Sequence, residues 1–121
     1  MAGFSGVMKL RVIEALELDA KHVRSQFGAG KLTVIDPFLQ VNVDDENIAR
    51  TAAKAKTFSP FWNEEFTATL HNAKNLNLTV FHSAVVGPDP FVANISVPLQ
   101  EIIRHQEGQP DLWVCNFTFK Y

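Results

Sequence analysis

The chain is 121 residues long, with 11 Lys and Arg against 13 Asp and Glu, a net charge of −2 and 46% hydrophobic residues. This length suits one domain, or one module of a longer protein, that folds without a metal or a disulfide; the ordinary apolar content excludes a disordered or fibrous chain. A lone Cys115 cannot bridge within the chain, which fits a reducing compartment, and the slightly acidic balance gives no general attraction to phosphates or nucleic acid. The opening residues lack the basic and apolar regions of a secretory signal, and no apolar run approaches a membrane span. Ala2 excludes the myristoylation pattern. The three sequons, at Asn77, Asn94 and Asn116, fall within strand-like stretches and read as coincidence. The expected location is the cytosol.

Period-2 alternation dominates the chain. Met8, Leu10 and Val12 share one face of the first stretch, opposed by Lys9 and Arg11. Leu39, Val41 and Val43 alternate with Gln40 and Asn42. Residues 48–56 alternate more weakly and put Arg50, Ala52, Lys54 and Lys56 on one face. Phe66, Ala68 and Leu70 follow, then Leu76, Leu78 and Val80, then Phe91, Ala93, Ile95 and Val97. The last stretch aligns Trp113, Cys115, Phe117, Phe119 and Tyr121. Helical spacing appears once: Pro98 opens a stretch in which Leu99, Ile102 and Ile103 suit one short helix near 99–106. Seven short strands, with turn signals at 44–47, 59–60, 71–75 and 87–90, predict an all-β antiparallel sandwich. Two connections break this economy: residues 19–35, longer than compact domains usually allow, and 82–90.

Enzyme motifs are missing. No phosphate loop, nucleophile elbow, zinc-protease helix or C-x-x-C pair occurs, so neither a catalytic residue nor a metal site is assigned. His22, His71, His82 and His105 lack metal-ligand spacing and read as surface or structural residues. Asp44, Asp45 and Glu46 suit a solvated hairpin turn better than acid–base work. Cys115 alternates with large aromatics and reads as a buried thiol.

The charges are more informative. No acid lies between Asp19 and Asp36, a window holding Lys21, His22, Arg24 and Lys31; none lies between Glu46 and Glu64, a window holding Arg50, Lys54 and Lys56. Six of the 11 Lys and Arg fall in these two windows. On a strand, Arg50, Lys54 and Lys56 form a cationic patch, and each such residue near an anionic lipid surface contributes about 1 kcal/mol. The apolar loop residues Phe27, Val85 and Val86 beside these cations suit insertion into a headgroup layer. An ordinary solvated strand face with inward-folded loop tips is the alternative.

Three segments carry a family pattern: IDPFLQVNVD, TAAKAKTFSPFWNEEF and LTVFHSAVVGPDPFVAN. Asp36-Pro37-Phe38 matches a D-P-[YF] motif; Lys54, Lys56, Thr57, Pro60 and Trp62–Phe66 match K-x-K-T-x-x-P-x-W-[ND]-[ED]-x-F. The chain resembles the C2 domain, and in particular the N-terminal C2 domain of novel, calcium-independent protein kinases C of the epsilon and eta type. The resemblance runs from about Phe4 to Trp113 and implies one domain over 1–121: an eight-stranded antiparallel sandwich, or seven strands with an altered last strand from about 112. It implies regulatory membrane targeting without cofactor, catalysis or calcium, because His82, Ala84 and Pro90 stand where calcium-dependent members carry acids, and calcium takes 6–8 oxygens. Asp36 then caps the turn into the second strand. Peripheral attachment to anionic phospholipid is expected through Lys21, Arg24, Phe27, Lys31, Val85 and Val86, joined by Arg50, Lys54 and Lys56. Lys21 stands where the epsilon form has an aromatic residue.

The resemblance also implies a protein-binding or autoinhibitory role, toward an anchoring protein or the kinase's own catalytic and C1 regions. Its segment is Glu14, Ala15, Leu16, Glu17, Leu18, Asp19, Ala20 and Lys21, and the bland alternative is a strand end entering a loop. The tail after Trp113 departs most from the pattern: it either supplies the closing strand or leaves the sandwich without one.

Overall fold

A computed structural model describes residues 3–19, 34–103 and 112–120, with backbone alone for 102, 103 and 112–120. The alternating faces read from the sequence become strands because each can bury one side. β1 (Phe4–Leu16) turns Met8, Leu10 and Val12 inward, and all three are fully enclosed. β2 (Pro37–Val43) contributes Leu39, Val41 and Val43; β5 (Asn75–His82) contributes Leu76, Leu78 and Val80. Short β3 (Glu46–Arg50) and long β4 (Phe61–Ala73) complete these neighbourhoods, and β6 (Phe91–Pro98) adds Val92 and Ala93. Helix α1 (Leu99–Ile103) follows directly, buries Leu99, and starts with the Leu99 N–H bonded to the Lys74 carbonyl. β7 (Leu112–Lys120) is the final element.

Two sheets result, ordered β4-β1-β7 and β3-β2-β5-β6. Every pairing is antiparallel except that of β1 with β7, which is parallel from Val7 opposite Leu112 to Leu16 opposite Lys120. The atypical tail therefore does supply a closing strand. β4 is longer than the alternation at 65–70 suggests. Trp62 is buried near its start and its Nε1 donates to the Pro37 carbonyl at 3.2 Å, linking the two layers across the polar stretch Asn63-Glu64-Glu65. Asn63 and Asn72 take positive φ (48° and 52°), the left-handed region that Asn tolerates better than most residues.

The weakly alternating stretch 48–56 is corrected here. β3 ends at Arg50, and Ala55-Lys56 form a turn, with Lys56 at φ 54°. Ala has little strand preference and buries little surface, so the alternation at Ala52 and Ala53 cannot hold a ladder. The backbone leaves the strand at Thr51, whose buried hydroxyl accepts the Leu39 N–H at 2.9 Å. Arg50, Lys54 and Lys56 therefore do not share a strand face.

Asp44 holds the opposite end of the sandwich together. It occupies the two-residue connection between β2 and β3 at φ 53°. Its Oδ1 accepts the N–H groups of Lys74 (3.2 Å) and Asn75 (3.0 Å), where the chain crosses from β4 in one sheet to β5 in the other.

Candidate functional site

Three connections meet before the start of β2, and Asp36 joins them. Its N–H donates to His82 Nδ1 at 3.0 Å, and its carbonyl accepts the Ser83 N–H at 2.9 Å. Its Oδ1 accepts the N–H of Lys56 at 2.8 Å, satisfying a donor in a turn with left-handed backbone. Asp36 thus braces the 51–60 connection and the 83–90 loop against the entry to β2. This extends the expected capping role to two further segments. Nearby backbone bonds reinforce the joint: Lys54 N–H to the Pro37 carbonyl at 3.0 Å and Thr57 N–H to the Ile35 carbonyl at 2.9 Å.

The 83–90 loop is closed from within. The His82 N–H meets the Pro90 carbonyl at 2.9 Å, and Asp89 Oδ1 accepts the Ala84 N–H at 2.8 Å. Gly87, at φ 79°, supplies the left-handed residue that the turn needs. Those bonds leave the loop tip apolar and outward: Val85 is 90% exposed and Val86 55%. Such exposure in a hydrogen-bonded loop is the opposite of the inward-folded alternative.

Lys54 and Lys56 are both exposed, and the Asp36 joint brings their connection to the same end as Val85 and Val86. Arg50 stands apart, on the outer face of the four-stranded sheet. Its guanidinium lies 5.4 Å from the centre of the Phe38 ring, which stacks on Phe81 with centroids 5.7 Å apart. A cleft of about 380 Å³ lies between Arg50 and Ser83, with Asp89 on its lining. Lys21, Arg24, Phe27 and Lys31 lie outside the described residues, as do Ala20 and the remainder of that long connection.

Exposed Val34 and Phe91 were not read from the sequence, nor was exposed Phe61 at the head of β4. Phe91 belongs to an alternating run that predicts burial. A bulge opposite Val80 and Phe81 spends two consecutive residues, Val92 and Ala93, on the core and turns Phe91 outward. Alternation alone cannot locate a bulge.

The segment from Glu14 to Asp19 is woven into the sandwich. Ala15 and Leu18 are buried, and their N–H groups donate to the Pro60 and Phe58 carbonyls at 3.0 and 2.9 Å. The Glu17 N–H donates to Ser59 Oγ at 3.0 Å. The exposed or half-exposed members are Glu14, Leu16, Glu17 and Asp19. The carboxylate pair Glu64-Glu65 also has structural work: Glu64 Oε2 accepts the Ala52 N–H at 2.9 Å, and Glu65 pairs with Arg11 at 3.1 Å across an exposed surface.

Asp36 and Asp89 each commit a carboxylate oxygen to a backbone donor, and His82 Nδ1 accepts the Asp36 N–H. Ala84 offers no side-chain oxygen. Among the described residues no group of three or more His, Cys, Asp or Glu converges to hold a metal.

The two-sheet sandwich with its joined loops at one end defines a C2 fold, and the C2 domain family model matches residues 6–115; the chain belongs to that family. More particularly, it is similar to the N-terminal C2 region of novel protein kinases C. It is 36% identical over 117 residues to protein kinase C epsilon type of Rattus norvegicus, covering 94% of this chain and 16% of that one. It is 38% identical over 104 residues to protein kinase C eta type of Homo sapiens, covering 84% of this chain and 15% of that one. The chain thus spans about one sixth of the length of these kinases. Among solved structures, the calcium-bound C2A and C2B domains of extended synaptotagmin 2 share the fold, with a TM-score of 0.67 at 24% identity, over 86% of this chain and 38% of that one.

Proposed function

We propose that this C2 domain is a non-catalytic targeting module whose Asp36-braced end binds anionic phospholipid membranes without calcium. The observation that carries the reading is the solvent-facing pair Val85 and Val86, on a loop tied through Asp36 to the connection bearing Lys54 and Lys56. Apolar tips gain free energy by leaving water for the headgroup boundary, while nearby cations gain from the negative surface potential. The two effects act together when both groups lie at one end of a rigid body.

Calcium independence is supported by Ala84 and Pro90, which offer no side-chain oxygen, and by His82, whose Nδ1 accepts the Asp36 N–H, since calcium takes 6–8 oxygen ligands. In this reading Lys21, Arg24, Phe27 and Lys31 also take part in lipid binding, and Arg50 contributes from the flank. Residues 1–121 act as one domain of a regulatory protein related to novel protein kinases C, attached peripherally to membranes. No helix among the described residues is long and apolar enough to cross one.

Sedimentation with vesicles of phosphatidylserine or phosphatidic acid, against phosphatidylcholine, tests the reading in calcium and in chelator. The expected result is binding to anionic vesicles at equal strength in both. Equal failure to sediment on anionic and neutral vesicles would sink it, and binding only with calcium would overturn its mechanism.

A further inference from the structure

The cleft between Arg50 and Ser83 carries one positive and one negative charge that do not meet. β3 stops at Arg50, which stands opposite Gln40 and leans over Phe38, with its guanidinium 5.4 Å from the ring centre. The 83–90 loop brings Ser83 and Asp89 to the same cleft, and residues 51–53 complete its described lining. Its volume of about 380 Å³ lies in the range of small-molecule sites, about 300–1,000 Å³. Among the described lining residues Arg50 is the one cation and Asp89 the one anion, and the two form no ion pair with each other.

Each polar group is fixed by one contact that leaves another atom available. Asp89 Oδ1 accepts the Ala84 N–H at 2.8 Å, while its Oδ2 meets no donor among the described residues. The Ser83 N–H donates to the Asp36 carbonyl at 2.9 Å, and its hydroxyl has no partner among the described residues. The Arg50 guanidinium rests near the Phe38 ring, and no described acceptor meets its N–H donors. Opposite charges that share a cleft and stay apart suit a ligand bearing both signs.

Resting on the membrane reading above, we infer that this cleft takes the phosphoethanolamine headgroup of phosphatidylethanolamine. Arg50 donates to the phosphodiester oxygens, the charge-assisted pairing that a guanidinium makes with phosphate. The ammonium at the other end of the headgroup donates to Asp89 Oδ2, and the Ser83 hydroxyl donates to a remaining phosphate oxygen. The two lining charges cancel, and so do the two charges of the headgroup. Phosphatidic acid lacks the ammonium and leaves Asp89 facing only negative charge. Phosphatidylserine adds a carboxylate for which the described lining holds no second cation. The methylated ammonium of phosphatidylcholine has no N–H to donate. The source is a membrane lipid, since Ser83 and Asp89 belong to the loop whose exposed tip is Val85 and Val86.

Glycerophosphoethanolamine, titrated into the ¹⁵N-labelled full chain, should shift the backbone signals of Ala53, Ser83 and Asp89 and the Arg50 Nε–H signal. Saturation with a Kd of order millimolar corresponds to about −4 kcal/mol. Glycerophosphocholine should leave those signals in place, and glycerophosphoserine should bind more weakly. In sedimentation, vesicles of fixed phosphatidylserine content should bind about threefold more tightly when phosphatidylethanolamine replaces part of the phosphatidylcholine, the scale of one exposed ion pair. Asp89→Asn keeps an oxygen for the Ala84 N–H, so the unfolding midpoint should hold while the glycerophosphoethanolamine shifts and the phosphatidylethanolamine gain both disappear. Arg50→Gln should weaken binding of the soluble headgroup as well. The inference is overturned, with the membrane reading intact, if anionic vesicles bind but phosphatidylethanolamine adds nothing and the signals stay fixed up to ~50 mM glycerophosphoethanolamine. It is equally overturned if glycerophosphate, glycerophosphoserine or glycerophosphocholine binds as tightly, or if Asp89→Asn keeps the gain. Saturable shifts in a chain that ignores anionic vesicles would uphold the headgroup chemistry of the cleft and sink the membrane reading instead.

Discussion

β2 leaves an aspartate at each of its ends, and the two perform the same mechanical task on unlike surfaces. Asp36 precedes the strand and accepts the Lys56 N–H; Asp44 follows it and accepts those of Lys74 and Asn75. Each ties its own strand to a connection arriving from elsewhere. Around Asp36 the surface carries Val34, Val85 and Val86 with Lys54, Lys56 and Asp89, whereas around Asp44 it carries Asp45, Glu46, His71 and Lys74 and no large exposed hydrophobic among the described residues. Equivalent braces therefore support two unlike surfaces, one with exposed valines and lysines and one made of charged and polar groups.

The sharpest way to break that contrast is at the loop tip. Val85→Asp with Val86→Asp removes two exposed apolar side chains and adds charge that anionic lipid repels, so affinity for phosphatidylserine vesicles should fall by about a hundredfold. The unfolding midpoint should not move, because neither side chain belongs to the core. Next in size is Asp44→Ala, which strips an acceptor from two backbone donors. It should cost about 2 kcal/mol by denaturant titration and leave vesicle binding intact. Loss of vesicle binding in that variant would show that the two ends are coupled.

Lys54→Ala with Lys56→Ala should weaken binding to anionic vesicles by about tenfold in low salt, and by less as salt rises. Asp36→Ala removes one backbone acceptor and should cost about 1 kcal/mol of stability, with Asp36→Asn retaining most of it, since an amide oxygen still accepts. Calcium response should be the same in both Asp36 variants as in the parent chain. The smallest effect is expected from Asp45→Lys at the far end. A strong gain in vesicle affinity there would mean that the water-facing end also meets the membrane.

Much of the fold was legible because its core strands alternate cleanly: Leu39, Val41 and Val43 could face only one way, and so could Leu76, Leu78 and Val80. Two features escaped that logic for physical reasons. Residues 48–56 alternate in letters only, because Ala buries too little to hold a strand, and the cationic face inferred for Arg50, Lys54 and Lys56 dissolved when the ladder ended. Phe91 alternates with Ala93, Ile95 and Val97 in the sequence yet faces outward, because a bulge leaves no mark in a hydrophobic pattern. In the candidate site, Val85 and Val86 were readable from their flanks, with Gly87 and Pro88 ensuring an irregular loop. The function of Asp36 as a three-way joint was not readable, since its partners His82, Ser83 and Lys56 lie 20–47 residues away and meet it only in the folded chain.

The parallel pairing of β1 with β7 has a practical consequence for any surface measurement. Phe4 lies opposite Ala73, beside the Asp44 end, while Lys120 lies opposite Leu16, beside the loops. A bead, dye or purification handle attached before Gly3 projects away from the candidate membrane contact, and one attached after Lys120 projects beside it. Sensor-chip immobilisation through the amino end should therefore preserve lipid binding, and immobilisation through the carboxyl end should mask it.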